Sequence, residues 1–335
     1  MDFFLKDNHF KDTIELYPIG KVETYKLKSL IKENYIGINL NVEYFRIGDK
    51  NINSQNYKIG DKYFKVIQNI KNKEYIKNFP KIAKQLKDVD IPCSSFINSI
   101  EDKEIVERGT KKNKIYFYIQ DFISDSFFSG TQSELIQVIL ILKKFQDFHF
   151  NFKDKNPSAP YLNWTPSQTL SKIKITINKI LIPSHFDYLA SNCVSIIEKI
   201  LIKYENQIKN LLNNSKEYAH FDIHPHNLLF KDGKLISIID LESIVNVRHV
   251  LATSFGLFKV ARKCFIKKNI KKDEFHNLIK NHFDLEEIKV YTQIELCRRL
   301  LLIMKLHYLD KNDEWDFELI KHVAGIKESN YMFSK

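Results

Sequence analysis

Glycine and proline are scarce in this chain of 335 residues, at 9 and 8. An all-β protein that closes many tight turns needs more of both, so that class is excluded. The four cysteines, Cys93, Cys193, Cys264 and Cys297, lie far apart with no CxxC pair. That pattern fits reduced thiols rather than a disulfide frame or a cysteine-built zinc site. No apolar run reaches the ~20 residues that span a bilayer, and Met1 to Asp7 has neither the basic start nor the long apolar centre of a signal peptide. A cytoplasmic protein with no membrane partner is expected. Arginine, the residue best suited to phosphates and base edges, makes up only six of the 52 basic residues, and lysine is spread evenly. The net charge of +11 is therefore not read as a nucleic-acid surface. Nothing in the chain specifies an oligomeric state.

What is present is ordinary globular composition, 44% apolar and 28% charged, with 25 Phe and 16 Tyr for a core. Two textures divide it. From Ile38 to Ile123, short runs of alternating apolar residues, such as Tyr63-Phe64-Lys65-Val66-Ile67 and Ile115-Tyr116-Phe117-Tyr118-Ile119, read as antiparallel strands. One helix is expected within them over 73–86, and another ahead of them over 22–34. From Ser133 onward apolar residues recur at helical spacing, with further helices near 168–181, 187–213, 250–268, 286–309 and 315–327. The pattern predicts an α+β protein with a small antiparallel-sheet lobe over 1–123 and a larger helical lobe over 124–335.

One segment, 218–242, interrupts the helical texture. It reads Tyr-Ala-His220-Phe-Asp222-Ile-His224-Pro225-His226-Asn227, then a short apolar strand, an Asp232-Gly233 turn and a second strand ending in Asp240. The predicted hairpin presents Asp222, Asn227 and Asp240 at one end. Acids beside apolar strands need a compensating partner. A carboxylate with an amide oxygen forms a partial shell for Mg²⁺, which takes its other ligands from water and phosphate. A second carboxylate is then free to accept a proton from a hydroxyl. His220 reads as a hydrogen-bonding brace for the loop.

His220-x-Asp222-x-x-x-x-Asn227, followed by a strand and Ile-Ile-Asp240-Leu-Glu242, resembles the catalytic-loop and metal-site motifs of the aminoglycoside phosphotransferase and choline kinase family. The resemblance extends over roughly residues 35–262. It implies a two-lobed protein-kinase-like fold and an ATP- and Mg²⁺-dependent kinase, moving the γ-phosphoryl group to a hydroxyl of a small polar metabolite such as a sugar, choline or an aminoglycoside. It implies Asp222 as catalytic base and Asn227 and Asp240 as Mg²⁺ ligands. Upstream, Asn53 and Ser54 fall in the nucleotide-covering hairpin, Lys65 on the strand that meets the α- and β-phosphates, and Glu74 on the helix that holds that lysine. Gln120 and Phe122 fall in the hinge that receives adenine. The chain departs from the pattern in lacking paired glycines in the covering hairpin, in Phe221 for the common Gly, in Leu241 for an aromatic, and in Arg248-His249 where a later acid is usual.

Two substrate contacts are also expected. If the chain stays extended after Asp240, Glu242 points to the same face and either joins the metal shell or holds a cationic group of the acceptor. Trp164 either stacks on a substrate or plugs the lobe interface. Plainer roles compete at each position: turn and cap for Asp222, Asn227 and Asp240, surface charge for Lys65 and Glu74. Two other activities are weighed. A zinc hydrolase built on His220, Asp222, His224 and His226 is disfavoured because Pro225 breaks the strand alternation and Asn227 and Asp240 are left without a role. An inactive nucleotide-binding relative is disfavoured because no catalytic oxygen or amine is missing.

Overall fold

A computed structural model of the chain describes residues 4–5, 16–17, 21–45, 54–68, 73–109, 114–123, 126–151, 161, 164–212, 217–310 and 316–334. Its first sheet has seven strands: β1 (Leu16–Tyr17), β2 (Val42–Phe45), β3 (Ser54–Ile59), β4 (Lys62–Gln68), β5 (Phe96–Ile97), β6 (Val106–Gly109) and β7 (Lys114–Asp121). They run in the order β1-β2-β3-β4-β7-β5, with β6 also on β7, and every pairing is antiparallel. The period-2 pattern sorts the faces. Phe64 and Val66 of β4 join Tyr57 and Ile59 of β3 in a core closed by Leu27 and Ile31 of helix α1 (Lys21–Asn34). Tyr63, Lys65 and Ile67 therefore face the other way, toward the large core of the helical lobe, which Tyr63 and Ile67 join.

The helix expected over 73–86 is split into α2 (Lys73–Ile76) and α3 (Phe79–Lys87). Pro80 lies in the first turn of α3, where its missing N–H costs nothing, and Pro disfavours a helical residue before it. The buried face of α3, Phe79, Ile82, Ala83 and Leu86, seats it against the helical lobe.

Past Asp121 the chain leaves the large sheet and enters β8 (Ser126–Phe127), an edge of a three-stranded sheet with β10 (Leu228–Lys231) and β11 (Lys234–Ile238). The β10–β11 hairpin closes through Asp232 and Gly233, with φ of 49° and 72°. Two successive left-handed residues make the turn whose twist suits paired strands, and Asp-Gly is the dipeptide that tolerates it. A two-stranded sheet joins β9 (Tyr218–His220) to β12 (Ile244–Asn246).

Around these lie α4 (Gln132–Asp147), α5 (Pro166–Ile177), α6 (His185–Lys203), α7 (Glu205–Leu212), α8 (His249–Ile266), α9 (Lys272–Ile279), α10 (Leu285–Tyr308) and α11 (Asp316–Phe333). The stretch expected as one helix over 187–213 breaks at Tyr204, whose φ of −114° leaves the helical region. Neither β8 nor α9 was expected. A two-residue strand and a helix of two turns carry too little periodicity to read. Helix α10 runs through the middle of the lobe and packs on α5, α6, α8 and α11. Among the described residues, no helix is long and apolar enough to cross a membrane. The architecture is α+β, with a small antiparallel-sheet lobe and a larger helical lobe.

Candidate active site

Sheet pairing fixes the first functional stretch. His220 ends β9 opposite Ile244, and Phe221 N–H donates to Ser243 O at 2.8 Å. The ring of His220 is buried. Its Nδ1 accepts from the backbone N–H of Asp222 at 3.3 Å, and Nε2 faces Ile239 O at 3.0 Å. One tautomer, protonated on Nε2, satisfies both. Burial pushes the imidazole pKa down, against the smaller pull of the Ile239 carbonyl and the nearby carboxylates, so the ring stays neutral. These contacts tie His220 to the loop and to Ile239, and with both nitrogens engaged it has none for a metal. Among the described residues, no group of three or more His, Cys, Asp or Glu is arranged to hold a metal ion.

His224 caps the short 3₁₀ turn Pro225–Asn227, accepting from His226 N–H, and Pro225 begins the turn with its φ already set. Asn227 emerges buried, and its Nδ2 donates to the Asp222 carbonyl at 2.9 Å. Its own carbonyl accepts from Ile239 N–H at 3.0 Å, which places the end of β11 beside the loop. Asp240 follows immediately, at φ 66° and ψ 51°. Asp is among the few non-glycine residues that tolerate this left-handed conformation. Ser243 holds it there, with N–H to Asp240 O at 2.9 Å and Oγ to Oδ2 at 2.7 Å.

The turn at Asp240 overturns the expectation of an extended chain to Glu242. Leu241–Ser243 is a 3₁₀ turn. Both acids nevertheless meet one cation, because Lys65 of β4 reaches Asp240 Oδ1 at 3.4 Å and ion-pairs with Glu242. Lys65 is only 5% exposed, and burial lowers its pKa against the opposing pull of Asp240. Glu242 Oε2 is buried with no hydrogen-bond partner among the described residues. Glu74 lies in α2, but its side chain, like that of Ser54 at the start of β3 and the whole of Asn53, is outside the described residues. Gln120 is buried in β7 with Nε2 on Ser94 O at 3.3 Å. Phe122 N–H donates to Asp61 O at 2.9 Å, and Lys58 Nζ lies 5.6 Å from the Phe122 ring.

Asp222 itself meets a residue that sequence reading missed. Lys259 of α8 approaches Oδ1 at 2.7 Å, and His224 Nε2 lies 3.4 Å from Oδ2. Burial would raise this carboxyl, but Lys259 and His224 together hold it well below the usual range. The signal was legible: Lys259, Arg262 and Lys263 interrupt an apolar helix, where cations must each find a partner. Arg262 pairs with Glu328, and Lys263 Nζ donates to Phe128 O. That leaves Lys259 to Asp222.

A cavity of about 250 Å³ opens beside Asp222, lined also by His224, Phe255, Lys259, Arg299 and His322. Trp164 is elsewhere. It meets Tyr161 edge-on, with ring centres 5.2 Å apart, and lines a second cavity with Arg298 and Lys305 that does not include Asp222.

Behind the first cavity lies Glu295, 0% exposed and bonded by Tyr161 Oη, Arg298 and Arg299. Burial raises its pKa, but Arg298 and Arg299 outweigh that and bring it to about 2. Because the folded-state value is depressed from the usual 4.5, Glu295 contributes stability above the unfolded pKa and loses it as the pH falls toward 2. Glu295→Gln should cost about 3 kcal/mol at pH 7, with the gap to wild type narrowing on acidification. Chemical denaturation at pH 7 and pH 3 checks this, and a gap independent of pH would refute it.

The sequence matches no family model and no curated protein. Solved structures do match. Spectinomycin phosphotransferase APH(9)-Ia, in complex with ADP and spectinomycin, aligns at 17% identity and a TM-score of 0.60 over 93% of this chain and 94% of its own. Choline kinase LicA from Streptococcus pneumoniae aligns at 14% and 0.55, over 93% of this chain and 100% of its own. A microcompartment-associated aminopropanol kinase aligns at 10% and 0.57, over 92% and 97%. At these identities the likeness establishes the two-lobed protein-kinase-like fold, across nearly the whole chain.

Proposed function

We propose that this protein is an ATP- and Mg²⁺-dependent phosphotransferase, transferring the γ-phosphoryl group to a hydroxyl of a small polar metabolite. The observation that carries the reading is the meeting of Lys65, from the small lobe, with Asp240, beside the loop of Asp222 and Asn227 in the large one. A buried lysine on a strand that joins the two lobes through a carboxylate has no plain surface role.

The oxygens present suit a hard cation. Asp240 and Asn227 would hold Mg²⁺, with the unpartnered Glu242 Oε2 within the same cluster. Bound there, the ion would neutralise charge on the phosphate oxygens. Lys65 would take the α- and β-phosphates, releasing its hold on the carboxylates in part. Asp222 accepts the acceptor hydroxyl proton as that oxygen bonds to the γ-phosphorus and the bond to the β-phosphate oxygen breaks, leaving ADP. Lys259 keeps Asp222 ionised and sets a positive charge beside the reacting oxygens. His220 fixes the Asp222 backbone. Gln120, at the end of β7, and Phe122 just past it would border the adenine. The cavity beside Asp222 is below the ~300–1,000 Å³ of pockets for drug-sized ligands, which favours a compact metabolite over an aminoglycoside.

The test is ADP release measured with Mg-ATP against a panel of sugars, amino alcohols, polyols and hydroxy acids. The expected result is release that requires both Mg²⁺ and a hydroxyl acceptor. Failure of the purified protein to bind Mg-ATP would sink the reading.

A further inference from the structure

Building on the phosphotransferase reading, we propose that the acceptor is an anion. The geometry suits a small hydroxy compound bearing a carboxylate or phosphate group, which the Arg299 guanidinium holds in the cavity beside Asp222.

Among the described residues, charge around that cavity does not balance. Lys259 is matched by Asp222 at 2.7 Å, Arg262 by Glu328 at 2.5 Å and Lys321 by Glu318 at 3.6 Å. Arg298 and Arg299 must share one carboxylate. Arg298 takes Glu295 through both Nε and Nη2 at 2.8 Å, while Arg299 reaches it through Nε alone at 2.8 Å. One positive charge is left over, and it falls on Arg299. The two Nη nitrogens of Arg299 have no hydrogen-bond acceptor among the described residues.

The guanidinium is also fixed in place. It stacks 4.5 Å from the centre of the Phe255 ring, the same ring that lies 4.8 Å from Lys259 Nζ. Arg299 and the base Asp222 thus line one cavity. The Arg299 side chain is 32% exposed, so a ligand can reach it. A planar fork with two free donors matches a carboxylate or phosphate, whose oxygens accept in parallel. In a chain with six arginines, one placed here with no full counter-charge among the described residues is a specific feature rather than background basicity.

The same observations argue against a cationic acceptor. An ammonium would enter a cavity that already carries excess positive charge. Glu242, the acid that sequence reading offered as its partner, is ion-paired with Lys65 instead.

The experiment titrates inorganic phosphate, acetate and tetramethylammonium by calorimetry into protein saturated with Mg-AMP-PNP, so that the nucleotide's own phosphate sites are filled. Phosphate or acetate is expected to bind, and the tighter of the two identifies the group the acceptor carries. Arg299→Gln should weaken that binding at least about tenfold, a change of about 1.4 kcal/mol. Arg299→Lys should restore part of it, and Mg-AMP-PNP affinity should not move. Glu295 keeps both Arg298 bonds in these variants, so they are expected to fold, which unchanged Mg-AMP-PNP affinity checks. In turnover, hydroxy acids or phosphorylated alcohols should be consumed in preference to choline, with KM raised by Arg299→Gln. Anion binding that Arg299→Gln leaves unchanged, anion binding that disappears once the nucleotide site is filled, or tetramethylammonium binding in its place would each overturn the proposal. If wild type fails to bind Mg-AMP-PNP, the kinase reading falls, while the same titration without nucleotide still decides the anion site.

Discussion

Asp222→Asn should lower kcat by about 10²–10⁴-fold while Mg-ATP binds as it does to wild type. The substitution keeps the shape of the side chain and removes its capacity to take a proton at neutral pH. The elements that position the loop survive it. Asn227 bonds to the backbone carbonyl of residue 222, and His220 accepts from its backbone N–H, so neither depends on the carboxylate. The nucleotide end of the site, Lys65 with Asp240 and Glu242, makes no contact with the Asp222 side chain. What the variant does disturb is Lys259, which loses its carboxylate, and that strengthens the effect on the chemical step. The check is kcat with the best acceptor from the panel alongside a Mg-ATP titration. Normal turnover with weakened Mg-ATP binding would reverse the assigned roles.

Asp240→Asn is the second large effect, and it falls on nucleotide rather than on the base. Asparagine tolerates the left-handed backbone at φ 66° nearly as well as aspartate, and can still accept from Ser243 Oγ. Alanine would confound the result by straining the backbone at this position. Removing a carboxylate partner of a metal site typically costs about 10–100-fold in affinity, so a direct ligand should lose at least that. Mg-ATP affinity and turnover are expected to fall together, while nucleotide without metal binds almost as before. Calorimetry with ATP in magnesium and in EDTA separates the two. Wild-type affinity for Mg-ATP in this variant would reduce Asp240 to a partner of Lys65 and Ser243.

Much of this architecture could be read from the chain because the signals are local. Alternation in β3, β4 and β7 reports a sheet with two different faces, and the spacing from His220 to Asn227 reports one tight loop. The split of 73–86 was in principle readable as well, since proline favours the first turn of a new helix. The role of Glu242 was not. Its position depends on Asp240 adopting a left-handed turn, held by a serine three residues on, and on a lysine 177 positions away in sequence. Trp164 read equally as a substrate platform or as a plug at the lobe interface, because an aromatic in a polar loop is conspicuous. The structure packs it on Tyr161, beside Arg298 and away from Asp222.

The sequence by itself determined the fold class and the pairing of strands around the hairpin, and it offered Asp222, Asn227 and Asp240 as one group of oxygens. These follow from neighbours within a few residues, where backbone geometry leaves little choice. Only the tertiary structure decided the electrostatics: that Lys259 faces Asp222, that Lys65 ties the lobes through Asp240 and Glu242, and that Arg298 and Arg299 share one buried acid. A charge has no fixed meaning along a chain. Its partner and its exposure to water set its effect, and both are assigned when helices distant in sequence pack side by side.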